Sequence, residues 1–241
     1  MIVLLTDFGQ SEYVGVMKAV IYRIDGEAEI VDLCHEIGPQ SVIEASWILK
    51  NSYKYFPAGA IFCCVVDPGV GTARNALAVR TAEYYFTGPD NGLLWETLRE
   101  QEIVETRVIP IPENASRTFH GRDVFARAAA EITLGRFEQL GPTTERIEVL
   151  ELYRKAREGI AVRIDRFGNT ITNLPDDGKS EYSVKAGEQQ WEMNAYRTYS
   201  EAPDNELFLI EGSCNTLEIS LKNGDANAGL RLKTGQHIEI S

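Results

Sequence analysis

Three apolar stretches of this chain end in a carboxylate: "VLLTDFG" at Asp7, "CCVVDPGVG" at Asp67, and "YYFTGPDNG" at Asp90, with Asn91 following. Two glycines separate Asp67 from Arg74, and "TFHGRD" later adds His120 and Asp123. A carboxylate accepts hydrogens, an arginine keeps its charge at any physiological pH, and an imidazole can donate, accept or act as base near neutrality. Together such groups could orient and activate water or hold a polar ligand. In open parallel sheets the ligand crevice lies beyond the carboxyl ends of the strands, so three endings of this kind would converge there. Asp and Gly after a strand also serve simply as turn formers. Asp123 reads as a first-turn helix residue that complements the helix dipole. His120 stands between an aromatic and a glycine at a loop-to-helix junction, where its ring can face a cleft.

Other chemistries find less support. The three histidines, His35, His120 and His237, show no ligand spacing, and HExxH is absent, so no metal is expected. The glycines of "DPGVGTAR" lack the lysine and hydroxyl that complete a P-loop. A net charge of -12, from 24 basic and 36 acidic residues, argues against nucleic acid or an anionic membrane as partner. No apolar run approaches the roughly 20 residues that span a bilayer. The opening "MIVLLTDFGQ" meets Asp7 after five apolar residues and reads as a first strand rather than a signal peptide. Of the four cysteines, Cys63 and Cys64 are adjacent and would point to opposite sheet faces, and no CxxC occurs. Reduced thiols in a cytoplasm are the simplest reading.

The elements that must position these residues alternate in type. "MIVLLTDF" reads as strand, "YVGVMKAVIYRI" as helix, "AEIVDLCHEI" as strand and "SVIEASWILKNSYKYF" as helix. "AIFCCVVDPG" and "ALAVRTAEYYFTGP" read as a pair of strands, "GLLWETLREQ" as a short helix, and "GRDVFARAAAEITLG" as a helix stopped by Gly135. This alternation predicts an α/β domain over residues 1–155, a mostly parallel sheet covered by helices. From about residue 158 the pattern changes to short alternating segments such as "TLEISL" and "HIEIS", separated by "DDG", "NG" and "TG" turns. A small antiparallel, barrel-like β domain is expected over 158–241, with "ELYRKAREG" as linker.

The ordered motifs "LLTDFG" with "YVGVMK", "VVDPGVGTAR", "FTGPDNGLL", "TFHGRDVFA", "IDRFGNTITN" and "GSCNTLEIS" cover essentially the whole chain. In them the sequence resembles the S-adenosyl-L-methionine hydroxide adenosyltransferases, relatives of the fluorinating and chlorinating enzymes that attack the same substrate. The resemblance implies hydrolysis of S-adenosylmethionine to adenosine and methionine, by attack of water or hydroxide at ribose C5′, without a cofactor. It puts the reactive trio on Asp67, Arg74 and His120. It also implies that Asp7, with Phe8 beside it, binds the ribose diol, and that Asp165 and Asn169 hold the methionine ammonium or carboxylate. Phe167 would form an apolar wall, and Ser213 would lie near the adenine. A homotrimer with active sites at subunit interfaces is implied as well.

This chemistry is sound on its own terms. A sulfonium leaves as a neutral thioether, so no general acid is needed and the difficulty lies in the weak nucleophile. Arg74 and His120 would lower the effective pKa of the water, and Asp67 would orient it or take its proton; the residues leave open which group accepts. Some positions depart from the family pattern. "DFGQSEYVG" is one residue short, which puts Glu12 in question as a ligand contact; Arg127 stands where proline is common, and Asn215 where glycine often is. The fluorinating relatives carry a tyrosine at the position of Asp67, whose charge would repel a halide. A non-catalytic module that binds or senses S-adenosylmethionine or adenosine is the alternative.

Overall fold

The computed structural model describes residues 1–241. The chain divides into two compact units, Met1–Glu151 and Leu152–Ser241.

The first unit is a six-stranded sheet between two layers of helices. Its strands are β1 (Ile2–Thr6), β2 (Ile30–Cys34), β3 (Ile61–Val65), β4 (Ala76–Thr81), β5 (Tyr85–Pro89) and β6 (Ile103–Ile109), in the spatial order β2-β1-β3-β5-β4-β6. The first four in that order run parallel, whereas β4 is antiparallel to both its neighbours. The stretch "ALAVRTAEYYFTGP", read above as one strand, is therefore a hairpin of β4 and β5. Its turn carries no glycine or proline; Thr81 Oγ1 instead accepts the Tyr84 N–H at 3.0 Å and closes the reversal.

Strands buried on both faces need continuous apolar sequence, and β1 and β3 are buried at every position. Alternation then divides their side chains between two cores. Ile2, Leu4, Ile61 and Cys63 pack against α1 (Glu12–Ile24) and α4 (Ala126–Thr133). Val3, Leu5, Phe62 and Cys64 pack against α2 (Val42–Ser52) and the short α3 (Trp95–Leu98) region. The adjacent cysteines thus do lie on opposite faces, and burial pushes the Cys63 thiol up to about 12. The predicted helix from Gly121 begins with a π-helical turn, Gly121–Phe125, before α4 proper.

The second unit is a closed barrel in the order β10-β11-β12-β8-β7-β13-β9. Its strands are β7 (Glu158–Ile164), β8 (Thr170–Thr172), β9 (Glu181–Ala186), β10 (Gln189–Tyr196), β11 (Leu207–Glu211), β12 (Leu217–Leu221) and β13 (His237–Ile240), with a short helix α5 (Ala226–Leu230). All pairings are antiparallel except that of β10 with β11. Part of the expected linker belongs to this unit: the carbonyl of Tyr153 accepts from Asn173 Nδ2 at 2.8 Å, and the Tyr153 ring lies against His237.

Candidate active site

Parallel β1, β3 and β5 are neighbours, so Asp7, Asp67 and Asp90 all emerge at one edge of the sheet. Their uses differ. Asp90 Oδ1 accepts the Glu148 N–H, and Asn91 ties two strand ends together by donating to the Val66 carbonyl and accepting from Leu93 N. These two are structural. Asp123 accepts the Ser116 N–H and pairs with Arg122, which also makes it a loop fastener.

Asp67, Arg74 and His120 do come together. Arg74 grips Asp67 with two donors, Nε to Oδ1 at 2.9 Å and Nη2 to Oδ2, and the same Nη2 lies 2.9 Å from His120 Nδ1. The Asp67 and Arg74 side chains are only 6% and 10% exposed, and His120 is buried, so solvent screens these charges weakly. The guanidinium also sits 5.3 Å from the centre of the Phe125 ring. The turn that returns Arg74 to Asp67 depends on Gly71, which has φ +78°. A Cβ there would lie 2.5 Å from the Arg117 carbonyl oxygen, so a side chain is excluded twice over.

The hydrogen bonds settle one protonation question. An arginine N–H can only donate, so His120 Nδ1 accepts and the neutral ring carries its hydrogen on Nε2. Burial, and secondarily the Arg74 charge, push the His120 pKa below the ordinary histidine value, which favours this neutral form.

Asp7 is half-buried beside this group. Its Oδ2 accepts the Gln40 N–H at 2.8 Å, and burial raises its pKa, with a smaller contribution from the charge of Asp67. Phe8 stands in an edge-to-face cluster with Tyr13 and Phe119, at 5.6 and 5.8 Å.

The other expected residues gather in the barrel. Asp165, Phe167, Asn169 and Ser213 line one cavity of about 520 Å³. Asp165 Oδ1 accepts from the backbone N–H of Phe167 and of Asn169, and Oδ2 from Asn169 Nδ2, which folds the "DRFGN" segment into a tight loop. Gly168, at φ +83°, closes it; a Cβ there would fall 2.0 Å from Asp225 Oδ1. The Phe167 ring is 69% exposed, an unusual position for a large apolar side chain and a ready surface for a ligand.

Sequence reading missed the other residues that line this cavity, Arg163, Tyr199 and Glu218 among them. Tyr199 Oη lies 3.4 Å from Asn169 Nδ2. Glu218 is buried, and its pKa is pushed up to about 6 by burial first and by the Asp165 charge second, against a lowering from Arg163. The alternation of "TLEISL" assigns Glu218 to a solvent-facing side, so nothing in the sequence marked it.

The SAM hydroxide adenosyltransferase N-terminal domain matches residues 2–141, and the SAM hydroxide adenosyltransferase C-terminal domain matches residues 159–239. This chain belongs to that family. Among hydroxide adenosyltransferase relatives, it is 36% identical to a Thermus thermophilus protein named (R)-S-adenosyl-L-methionine hydrolase, over 98% of this chain and 97% of the relative. A Methanocaldococcus jannaschii protein of the same name is 37% identical over 73% of this chain and 67% of its own length. A fluorinase from Nocardia brasiliensis is more distant, 26% identical over 72% of this chain and 70% of its own. Among solved structures, an uncharacterized conserved protein from Thermotoga maritima aligns with a TM-score of 0.91 at 37% identity, covering all of both chains.

Proposed function

We propose that this adenosyltransferase-family chain hydrolyses S-adenosyl-L-methionine to adenosine and L-methionine, without a cofactor. The observation that carries the reading is the buried Asp67–Arg74–His120 cluster, three groups suited to activating water. In the reaction a water oxygen forms the bond to ribose C5′ while the C5′–S bond breaks, its electron pair passing to sulfur. Asp67 takes the proton, because two of its acceptor sites are filled by Arg74 and about two remain. His120, with hydrogen on Nε2, donates to the nucleophile and fixes its direction. Arg74 holds both partners and supplies a positive charge in a poorly screened setting, where electrostatic stabilisation is strongest.

Asp7 receives the ribose hydroxyls on its remaining acceptor sites, with Phe8 as a neighbouring wall. Asp165, Phe167, Asn169 and Ser213 bind the methionine and adenine ends. The names of the relatives specify the (R) sulfonium epimer, and the same preference is proposed here. Assembly as a homotrimer and a cytoplasmic setting, in keeping with four free cysteines, belong to the same proposal; sedimentation analysis tests the first.

The decisive experiment incubates the purified protein with each S-adenosylmethionine epimer in 18O-labelled water. Label at adenosine O5′ is expected. Intact substrate, or adenosine without label, rejects hydrolysis at C5′ and leaves the binding-module alternative.

A further inference from the structure

The cavity in the barrel contains more acceptor capacity than its tight loop explains. A carboxylate offers about four acceptor sites, and Asp165 has already spent three of them on Phe167 N, Asn169 N and Asn169 Nδ2. Both hydrogens of Asn169 Nδ2 are likewise directed, one to Asp165 and one to Tyr199 Oη. Asn169 therefore presents its Oδ1 to a ligand, and Asp165 keeps roughly one free site. A primary ammonium has three donors to place, and these two residues do not fill them with charge.

Glu218 does. It lies on β12 at 8% exposure and lines the same cavity as Asp165, Asn169 and Ser213. The chain makes room for it: a Cβ on Gly212 would fall 1.8 Å from Glu218 Oε1. Gly212 has no positive φ to explain its presence, so the missing side chain serves the neighbouring carboxyl. The other charged groups lining the cavity are Arg163, Asp165, Arg166 and Glu211.

We propose that Glu218 is a specificity-determining residue of the barrel cavity, receiving the ammonium of the amino-acid end of the ligand while Asp165 chiefly shapes the loop. The assignment deepens the hydrolase reading and rests on it for the identity of the natural ligand. A raised carboxyl pKa fits the role, since an incoming cation restores the stabilisation that burial removes.

The test is titration of L-methionine into the wild type and Glu218→Gln, followed by steady-state kinetics with S-adenosylmethionine. Loss of one charge-assisted contact predicts about 10- to 100-fold weaker L-methionine binding and a KM raised by a similar factor. In the same experiment kcat should stay within about threefold. Glu218→Asp, which keeps the charge, should recover part of the affinity. The control ligand is 4-(methylthio)butanoate, which lacks the ammonium and should bind the wild type and Glu218→Gln alike. Equal L-methionine affinity in the wild type and Glu218→Gln, no measurable binding in the wild type, or equal losses for both ligands would overturn the assignment. A wild type that binds L-methionine but releases no adenosine refutes the hydrolase reading and leaves the role of Glu218 to the titration.

Discussion

The two units of this molecule handle buried charge in opposite ways. At the sheet edge, Asp67 and Arg74 satisfy one another through two hydrogen bonds, and His120 accepts from the same guanidinium. That cluster is complete before any ligand arrives, so its geometry is held in advance. In the barrel, burial first and the Asp165 charge second push the Glu218 pKa up, and the Arg163 charge offsets this only in part. Self-pairing suits groups that must be aimed at a reacting atom. A carboxylate left destabilised by burial suits a pocket that takes a cationic ligand group.

The comparison breaks most visibly at Arg74. Arg74→Ala removes the shared partner of Asp67 and His120, and kcat should fall about 100- to 1,000-fold. Adenosine affinity, read by calorimetry, should change little. An unchanged kcat would show that the sheet-edge cluster is a structural fastening only.

The counterpart in the barrel is Gly168→Ala. It forces a left-handed backbone on alanine and drives Cβ into Asp225, so a loss of about 2–3 kcal/mol in urea unfolding is expected. Wild-type stability would mean that the "DRFGN" loop adapts and is not the rigid element described.

Glu218→Gln should act in the opposite direction on the unliganded fold. A carboxyl pKa raised above its ordinary 4.5 contributes stability at low pH, and that stability is lost as pH rises through about 6. The full shift corresponds to about 2 kcal/mol, and water reaching the cavity reduces this to about 1 kcal/mol. Melting curves should therefore show the variant more stable than the wild type at pH 8, with the gap closing below pH 4.5. A wild type that matches the variant at pH 8 would remove the barrel's half of the comparison, the cost of burying the Glu218 charge.

The smallest effect concerns His120. Its NMR titration should fall below the ordinary histidine value and move upward in Arg74→Ala, though not completely, because burial is the larger cause. No movement would assign the whole shift to burial.

Much of this arrangement was legible in the residues because its signals are local. Continuous apolar runs marked β1 and β3, and the carboxylates that follow them, Asp7 and Asp67, fell at the expected edge. The β4–β5 reversal escaped notice because a threonine hydroxyl closes it in place of a glycine or proline. The π-helical turn after His120 has no compositional mark that separates it from an ordinary helix. Glu218 was hidden for a topological reason. Period-two alternation says which residues share a face, but only closure of the barrel decides that this face meets a cavity rather than water.

That closure also sets a timetable. β7 pairs with β8 on one side but finds its other neighbour, β13, only at His237–Ile240. During synthesis the strands of the first unit are all available once Ile109 has been made. One edge of β7, by contrast, waits for some seventy more residues, on the order of 4–15 s at ordinary translation rates. An unpaired strand edge is a template for association with another chain. The nascent barrel therefore stays open at this edge until the end of synthesis, and the last strand to emerge is the one that ends the exposure.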